Sequence, residues 1–267
     1  LALGMTAGQP FPKFSKKTSK YLLQFSVVGL GFGMNLHESL KTGKEGMLFT
    51  IVSVVAVMVL GIYLGKRLIM DRKTAYLISA GTAICGGSAI AAVGPVVKAN
   101  DNEMSMALGT IFILNAIALF IFPPIGHLLG MTQEQFGMWA AIAIHDTSSV
   151  VGAGAAYGEQ ALEIATMVKL TRALWIIPIT IVTMFLFQQK GAKISIPWFI
   201  FFFILAMVAN TFLTIPETIT ASLVWLAKKG LTVTLFLIGA GLSRKVIKQV
   251  GVRPMVQGVV LWIFIGL

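Results

Sequence analysis

The sequence predicts an all-α, polytopic membrane protein. It reads as a helical bundle with two broken or re-entrant segments and inverted-topology repeats. Three observations predict this class. The 267 residues are 57% hydrophobic and only 12% charged, with a mean hydropathy of +0.87. A soluble domain carries about 25% charged residues, so polar surface is too scarce here to coat a water-exposed globule. The apolar residues also come in long uncharged runs, and two further apolar segments are interrupted by glycine and polar residues.

The elements follow in order. Lys13, Lys16, Lys17 and Lys20 precede a first span, Tyr21 to Leu36. A charge-balanced loop, His37 to Gly46, leads to a second span, Met47 to Gly65, closed by Lys66, Arg67, Arg72 and Lys73. Thr74 to Val97 is apolar but broken, because Gly81, Gly86, Gly87, Gly94 and Pro95 are poor helix residues. Met106 to Leu129 is a span with Pro123 and Pro124 near its end. Phe136 to Gly158 is the second broken segment. Leu162 to Phe187 is a span with Lys169 and Arg172 in its first half, followed by Lys190 and Lys193. Ile196 to Ile215 and Ala221 to Leu242 are further spans, the latter holding Lys228 and Lys229. Arg244, Lys245, Lys248 and Arg253 mark a loop before Pro254 opens a last apolar run. A helix crossing the hydrocarbon core needs about 20 residues, and several runs reach that length.

The chain starts at Leu1 and stops inside an apolar run. It is therefore expected to be a fragment of one transmembrane transporter domain, residues 1–267, lacking terminal segments at both ends. The formal net charge of +11 would suggest nucleic acid in a soluble protein. Here the basic residues sit in short clusters between apolar runs, which sets orientation instead. Two spans bring both strongly basic clusters to one face, which the positive-inside rule makes cytoplasmic. Lys98 draws the Val97 to Glu103 loop to that face as well, so both broken segments are expected to be re-entrant and to dip in from opposite faces. Cys85 is the single cysteine, which excludes an intramolecular disulfide and a Cys-rich metal site.

A shift of 208 residues aligns Leu22–Gly43 with Gly230–Gly251, superposing Leu23, Gly31, Gly33 and Gly43 on Leu231, Gly239, Gly241 and Gly251. The two copies would run in opposite directions, the mark of inverted-repeat transporters.

Irregular backbone survives at membrane depth only where it is buried in protein or lines a wet cavity. Two broken segments therefore point to a site near the midplane. Free N–H groups at half-helix N-termini suit an anion there. In the first segment Thr82, Cys85, Gly86, Gly87 and Ser88 combine close backbone approach with hydroxyl donors. In the second, His145 and Asp146 stand beside Thr147, Ser148 and Ser149; an intramembrane Asp costs about 2.5–3.5 kcal/mol on insertion scales and marks function. The bland reading of both is helix packing through small residues. Lys169 and Arg172, spaced i, i+3, could neutralise Asp146, attract substrate, or snorkel from a helix end. Lys228 and Lys229 read as interfacial, Asn210 as a ligand or interhelical hydrogen-bonding residue, and Trp198 to Phe203 as lipid-facing.

His145, Asp146 and Ser149 raise a hydrolase reading. Adjacent helical residues point about 100° apart, which leaves Asp146 poorly placed to orient the His145 ring as a triad requires. The sequence has no GxSxG elbow, no HExxH and no GxxxxGK[ST] loop.

GTAICGGSAIAAVGPVVKA (Gly81 to Ala99), IHDTSSVVGAG (Ile144 to Gly154) and VKLTRALWIIP (Val168 to Pro178) resemble the YeiH-type bacterial membrane proteins, the sulfate exporter family. IPWFIFFFILAMVANTF and GAGLSRKVIKQVGVRP fit too, so the resemblance covers nearly all of the chain. It implies an inner-membrane secondary transporter of about ten or eleven segments, not an enzyme.

The expected function is secondary transport of a small anion, sulfate or an organosulfonate, across the bacterial inner membrane by alternating access. Thr82, Cys85, Gly86, Gly87, Ser88, Thr147, Ser148 and Ser149 would hold the substrate. His145, Asp146, Lys169 and Arg172 would supply charge and coupling, His because it titrates near neutral pH. No cofactor or metal is expected beyond a coupling H+ or Na+. The partners are the anion and the lipid bilayer, with no nucleic acid, and a homo-oligomer is allowed. A cation-coupled organic-acid carrier, an intramembrane hydrolase and a non-transporting anion sensor are the rivals.

Overall fold

The computed structural model describes residues 12–187, 198–241 and 250–267. Every regular element among them is a helix. Lys190, Lys193, Arg244, Lys245 and Lys248, placed in loops above, lie outside the described residues. So does most of the second half of the later repeat copy, so the repeat is not established.

Helix α1 (Pro12–Gly31) turns through residues 32–35 into α2 (Leu36–Arg67). This corrects the sequence reading, which ran the first span on to Leu36 and made His37 to Gly46 a loop. The turn sits at Gly33 and Asn35, where the Asn35 side chain accepts from His37 N at 2.8 Å and starts the next helix. The balanced charges that followed extend α2 beyond its apolar stretch rather than interrupting it.

The first broken segment is a hairpin. Asp71 caps α3 (Arg72–Ala83) by accepting from Lys73 N and Thr74 N. The helix stops at Ile84–Gly86, and α4 (Gly87–Val93) leads back. Lys73 Nζ donates to Lys98 O at 2.8 Å, so both ends of the segment lie at one face. Twelve residues of helix reach about 18 Å, past the middle of a core about 30 Å thick.

A capping box of Asn100 and Glu103 opens α5 (Asp101–Leu128), which crosses to the opposite face. There a second capping box, Thr132 and Gln135, opens α6 (Gln133–Ala143). After a break at Ile144–Asp146, α7 (Thr147–Tyr157) returns. Gln133 Oε1 accepts from Gln160 N at 3.0 Å and Ala161 N at 3.3 Å, and Tyr157 Oη donates to Met131 O at 2.5 Å. This hairpin also begins and ends at one face, the one opposite to the first.

Helices α8 (Glu159–Ala173) and α9 (Ile176–Leu186) form one crossing, kinked at Leu174–Trp175. Pro178 has no N–H to give Leu174 O and its ring crowds that carbonyl. The crossing ends on the first face, where Tyr76 Oη and Thr183 Oγ1 lie 2.7 Å apart and Arg72 Cζ sits 5.0 Å from the Phe187 ring centroid. Arg253 Nη1 donates to Ile69 O there, 3.1 Å away. One end of the molecule thus gathers Arg67, Arg72, Lys73, Lys98 and Arg253, as the charge pattern requires.

Among the described residues three helical stretches are long and apolar enough to cross a membrane: Phe49–Arg67 within α2, Asp101–Leu128, and Glu159–Leu186, which spans α8 and α9. The remaining helices are α10 (Trp198–Phe212), α11 (Glu217–Gly241) and α12 (Val252–Gly266). Helix α1 packs antiparallel to α11, with Gly29 against Ala227 and Gly33 against Val224, and parallel to α10, with Gly31 against Phe203. Ile200 and Phe203 are buried while Phe201 and Phe202 are exposed, so only part of the aromatic run faces outward. Asn210 Nδ2 donates to Met34 O at 3.3 Å, an interhelical bond. Helix α12 is fixed by Gln257, whose Nε2 donates to Gly61 O, Ala75 O and Ser79 Oγ at 2.9, 3.0 and 3.2 Å.

Candidate functional site at the hairpin tips

The two tips meet in the interior. Gly86, in the first break, has φ +65° and ψ −122°. A Cβ added there would lie 3.1 Å from Ile111 Cγ2 and 3.2 Å from Asp146 Cβ. Only glycine takes that backbone conformation readily and lets the second tip come so close. Thr82, Cys85 and Gly86 are buried at this junction, and Thr82 Oγ1 has no hydrogen-bond partner. Ser88, expected in the same cradle, is exposed, and Gly87 backs onto the Phe112 ring. The first cradle is therefore centred on Thr82–Gly86 rather than on Gly87 and Ser88.

In the second tip Asp146 is the N-cap of α7. One carboxylate oxygen accepts from Ser149 N at 2.9 Å and from the Ser148 hydroxyl; the other accepts from Ser149 Oγ at 3.1 Å. The positive end of α7 already holds an anion, and that anion is part of the chain. Ser148 and Ser149 thus serve Asp146 in this conformation. Thr147 is buried beside them. His145 is fully buried, and neither ring nitrogen has a partner. The hydroxyl–imidazole bond of a Ser/His/Asp triad is not made.

Lys169 and Arg172 are fully buried, among the largest such side chains of the described residues. Snorkelling does not describe them. Neither forms an ion pair with Asp146. Arg172 Nε and Nη2 both donate to Ala83 O, at 2.8 and 2.6 Å. Ala83 is the last residue of α3. Lys169 Nζ donates to Ala141 O at 3.2 Å and Ile144 O at 2.6 Å, at the end of α6. Each cation thus caps the C-terminus of the half-helix that descends into the site, where the orphan carbonyls carry partial negative charge. Both come from α8, one turn apart, so a single helix ties the two tips together.

Asn115 was not singled out in the sequence, although it interrupts an apolar span just as Asn210 does. It is 2% exposed, and its Oδ1 accepts from His145 N at 3.1 Å and Asp146 N at 3.2 Å, holding the second break open. Asn115 Nδ2 and Arg172 Nη1 are buried donors with no partner. Two buried basic side chains, a half-buried carboxylate and unpartnered buried donors therefore lie together at the tips. Away from it, Lys228 pairs with Glu159 and Lys229 lies 5.5 Å from the Trp225 ring centroid, both at the periphery as expected. No group of three or more His, Cys, Asp or Glu that could hold a metal occurs among the described residues.

Comparison with known proteins adds the family. The family model described as "conserved hypothetical protein 698" matches residues 3–258, consistent with the YeiH-type resemblance. A UPF0324 membrane protein of Bacteroides thetaiotaomicron is 66% identical over 270 residues, covering 100% of this chain and 82% of the relative. A UPF0324 membrane protein of Porphyromonas gingivalis is 59% identical over 271 residues, with 100% and 82% covered. Another from Geobacter sulfurreducens is 49% identical over 266 residues, with 100% and 86% covered. No solved structure matches the chain.

Proposed function

The chain belongs to the conserved hypothetical protein 698 family of membrane proteins, and from that premise we propose that it is a secondary transporter of a small anion, sulfate or an organosulfonate, in the bacterial inner membrane. The observation that carries the reading is the junction of the two hairpin tips. Two hairpins from opposite faces bring broken backbone together around Lys169, Arg172 and Asp146, with Arg172 Nη1, Asn115 Nδ2 and Thr82 Oγ1 left without partners. A buried unpaired donor costs about 1–3 kcal/mol, which a bound oxyanion would recover. The cationic surplus favours an anion over a cation or a neutral solute. Broken helices at the midplane are where secondary transporters hold substrate, and alternating access moves one bundle around that site. His145 and Asp146 are the groups assigned to coupling. Bonding of Ser149 to Asp146 instead of His145 gives the hydrolase reading no support.

The test is uptake of radiolabelled sulfate into proteoliposomes holding the full-length protein, with and without a pH gradient. Flux above empty liposomes, competed by sulfite or taurine, supports the reading. Arg172→Gln removes charge-assisted bonds worth about 1.5–3 kcal/mol each, so it should lower flux about tenfold or more. Wild-type flux in that variant removes Arg172 from the mechanism. Absence of flux under either condition sinks sulfate and sends the screen to carboxylates.

A further inference from the structure

Where a broken-helix transporter uses a metal cation, unwound carbonyls and half-helix C-terminal ends are what coordinate it. This protein has two such ends in its centre, at Ala83 and at Ala141–Ile144. Both are occupied by its own side chains. Arg172 gives two N–H groups to Ala83 O, and Lys169 gives its ammonium to Ala141 O and Ile144 O. Both residues are fully buried, so neither head group is shared with water.

We propose that Lys169 and Arg172 are resident cations that fill the seats a coupling Na+ would take, so that the protein operates without a metal cation. This rests, for its transport consequence, on the carrier reading above; the occupancy of the seats does not.

Electrostatics gives the same direction. Each helix C-terminus carries about half a negative elementary charge. With Lys169 protonated, two such ends are more than neutralised by the two head groups. An additional monovalent cation at the same carbonyls would sit within a few ångströms of an ammonium or a guanidinium, with no net negative charge to hold it. Asp146, the remaining carboxylate in the centre, is engaged by Ser148, Ser149 and the N-terminus of α7. The arrangement also holds the two head groups in place. An ion that binds and leaves can be a coupling ion; one tethered to α8 cannot.

The experiment measures the melting midpoint of the purified full-length protein in detergent as NaCl replaces choline chloride at constant ionic strength. The wild type is expected to be flat. Lys169→Ala should melt lower by about 5 °C or more, the size expected when charge-assisted bonds are lost from a chain of this length. It should then recover in part with NaCl or methylammonium chloride, which can reach the vacated carbonyls. A wild-type midpoint that rises with Na+ over choline overturns the proposal. So does a folded Lys169→Ala that melts with the wild type or answers neither cation. If Lys169→Ala is not recovered as folded protein, Lys169→Arg keeps a charge at the seat and should stay indifferent to Na+; sodium-dependent melting in it overturns the proposal equally. Flux separates the two readings. Anion flux driven by a Na+ gradient sinks the resident-cation inference and leaves the carrier standing. A flat Na+ response with no anion flux does the reverse.

Discussion

Gly86→Ala tests whether the two tips must touch. Gly86 lies at φ +65° and ψ −122°, a region that costs a residue with a side chain about 1–3 kcal/mol. The new methyl carbon would stand 3.1 Å from Ile111 Cγ2, 3.2 Å from Asp146 Cβ and 3.5 Å from Asp146 Cα. The first two contacts require a shift of a few tenths of an ångström while the third is ordinary van der Waals contact, and overpacking of that kind adds about 1 kcal/mol or more. The total is about 2–4 kcal/mol, which lowers the melting midpoint by about 5–15 °C in a chain of this size. Gly130 supplies the control. It too has positive φ, +63°, but an added Cβ there meets nothing within 4 Å, so Gly130→Ala carries the backbone cost alone. Thermal unfolding in detergent reads both. Gly86→Ala should melt well below Gly130→Ala and should lose anion flux, because Asp146 is pushed from the tip. Equal melting of the two variants would refute the claim that the hairpins are in contact at Gly86.

Two other predictions concern separate parts of the structure. Asp146→Asn should fold, since Asn caps a helix as well as Asp does, while losing flux and its response to a pH gradient; normal flux would remove Asp146 from coupling. Gln257→Leu leaves Gly61 O without its Nε2 donor and removes the same donor from Ala75 O and Ser79 Oγ, so unfolding should become easier by about 1–3 kcal/mol, and an unchanged midpoint would show that α12 is held by packing alone.

The class of the protein and the position of both breaks were legible in the sequence. Glycine at 86 and the polar stretch after Ile144 violate the helical pattern of their surroundings, and local violation is what periodicity reports. The first turn was misplaced for the opposite reason. His37, Glu38, Lys41, Lys44 and Glu45 look like a loop beside apolar spans, yet nothing in them forbids helix, and α2 runs through them. Lys169 and Arg172 could be placed on one face of one helix by their spacing, but their partners could not. Those partners are backbone carbonyls at Ala83, Ala141 and Ile144, far along the chain. A carbonyl has no side-chain identity for a pattern to register. Asn115 was hidden similarly: its role depends on the second break folding back against α5, a tertiary event.

The shared attachment of both tips to α8 limits how the molecule can move. Two gates that open in turn need independent hinges. Here Ala83 and Ile144 accept from side chains three residues apart on one helix, so moving either tip relative to α8 stretches or breaks a buried bond. Sliding one hairpin alone would strip a buried cation of its acceptors. Any displacement of the centre must therefore carry both hairpins and α8 as one block, and the yielding surface must lie outside it, where α7 and α8 rest on α1 and α11 through Leu30, Val151, Leu162, Ala227 and Leu231.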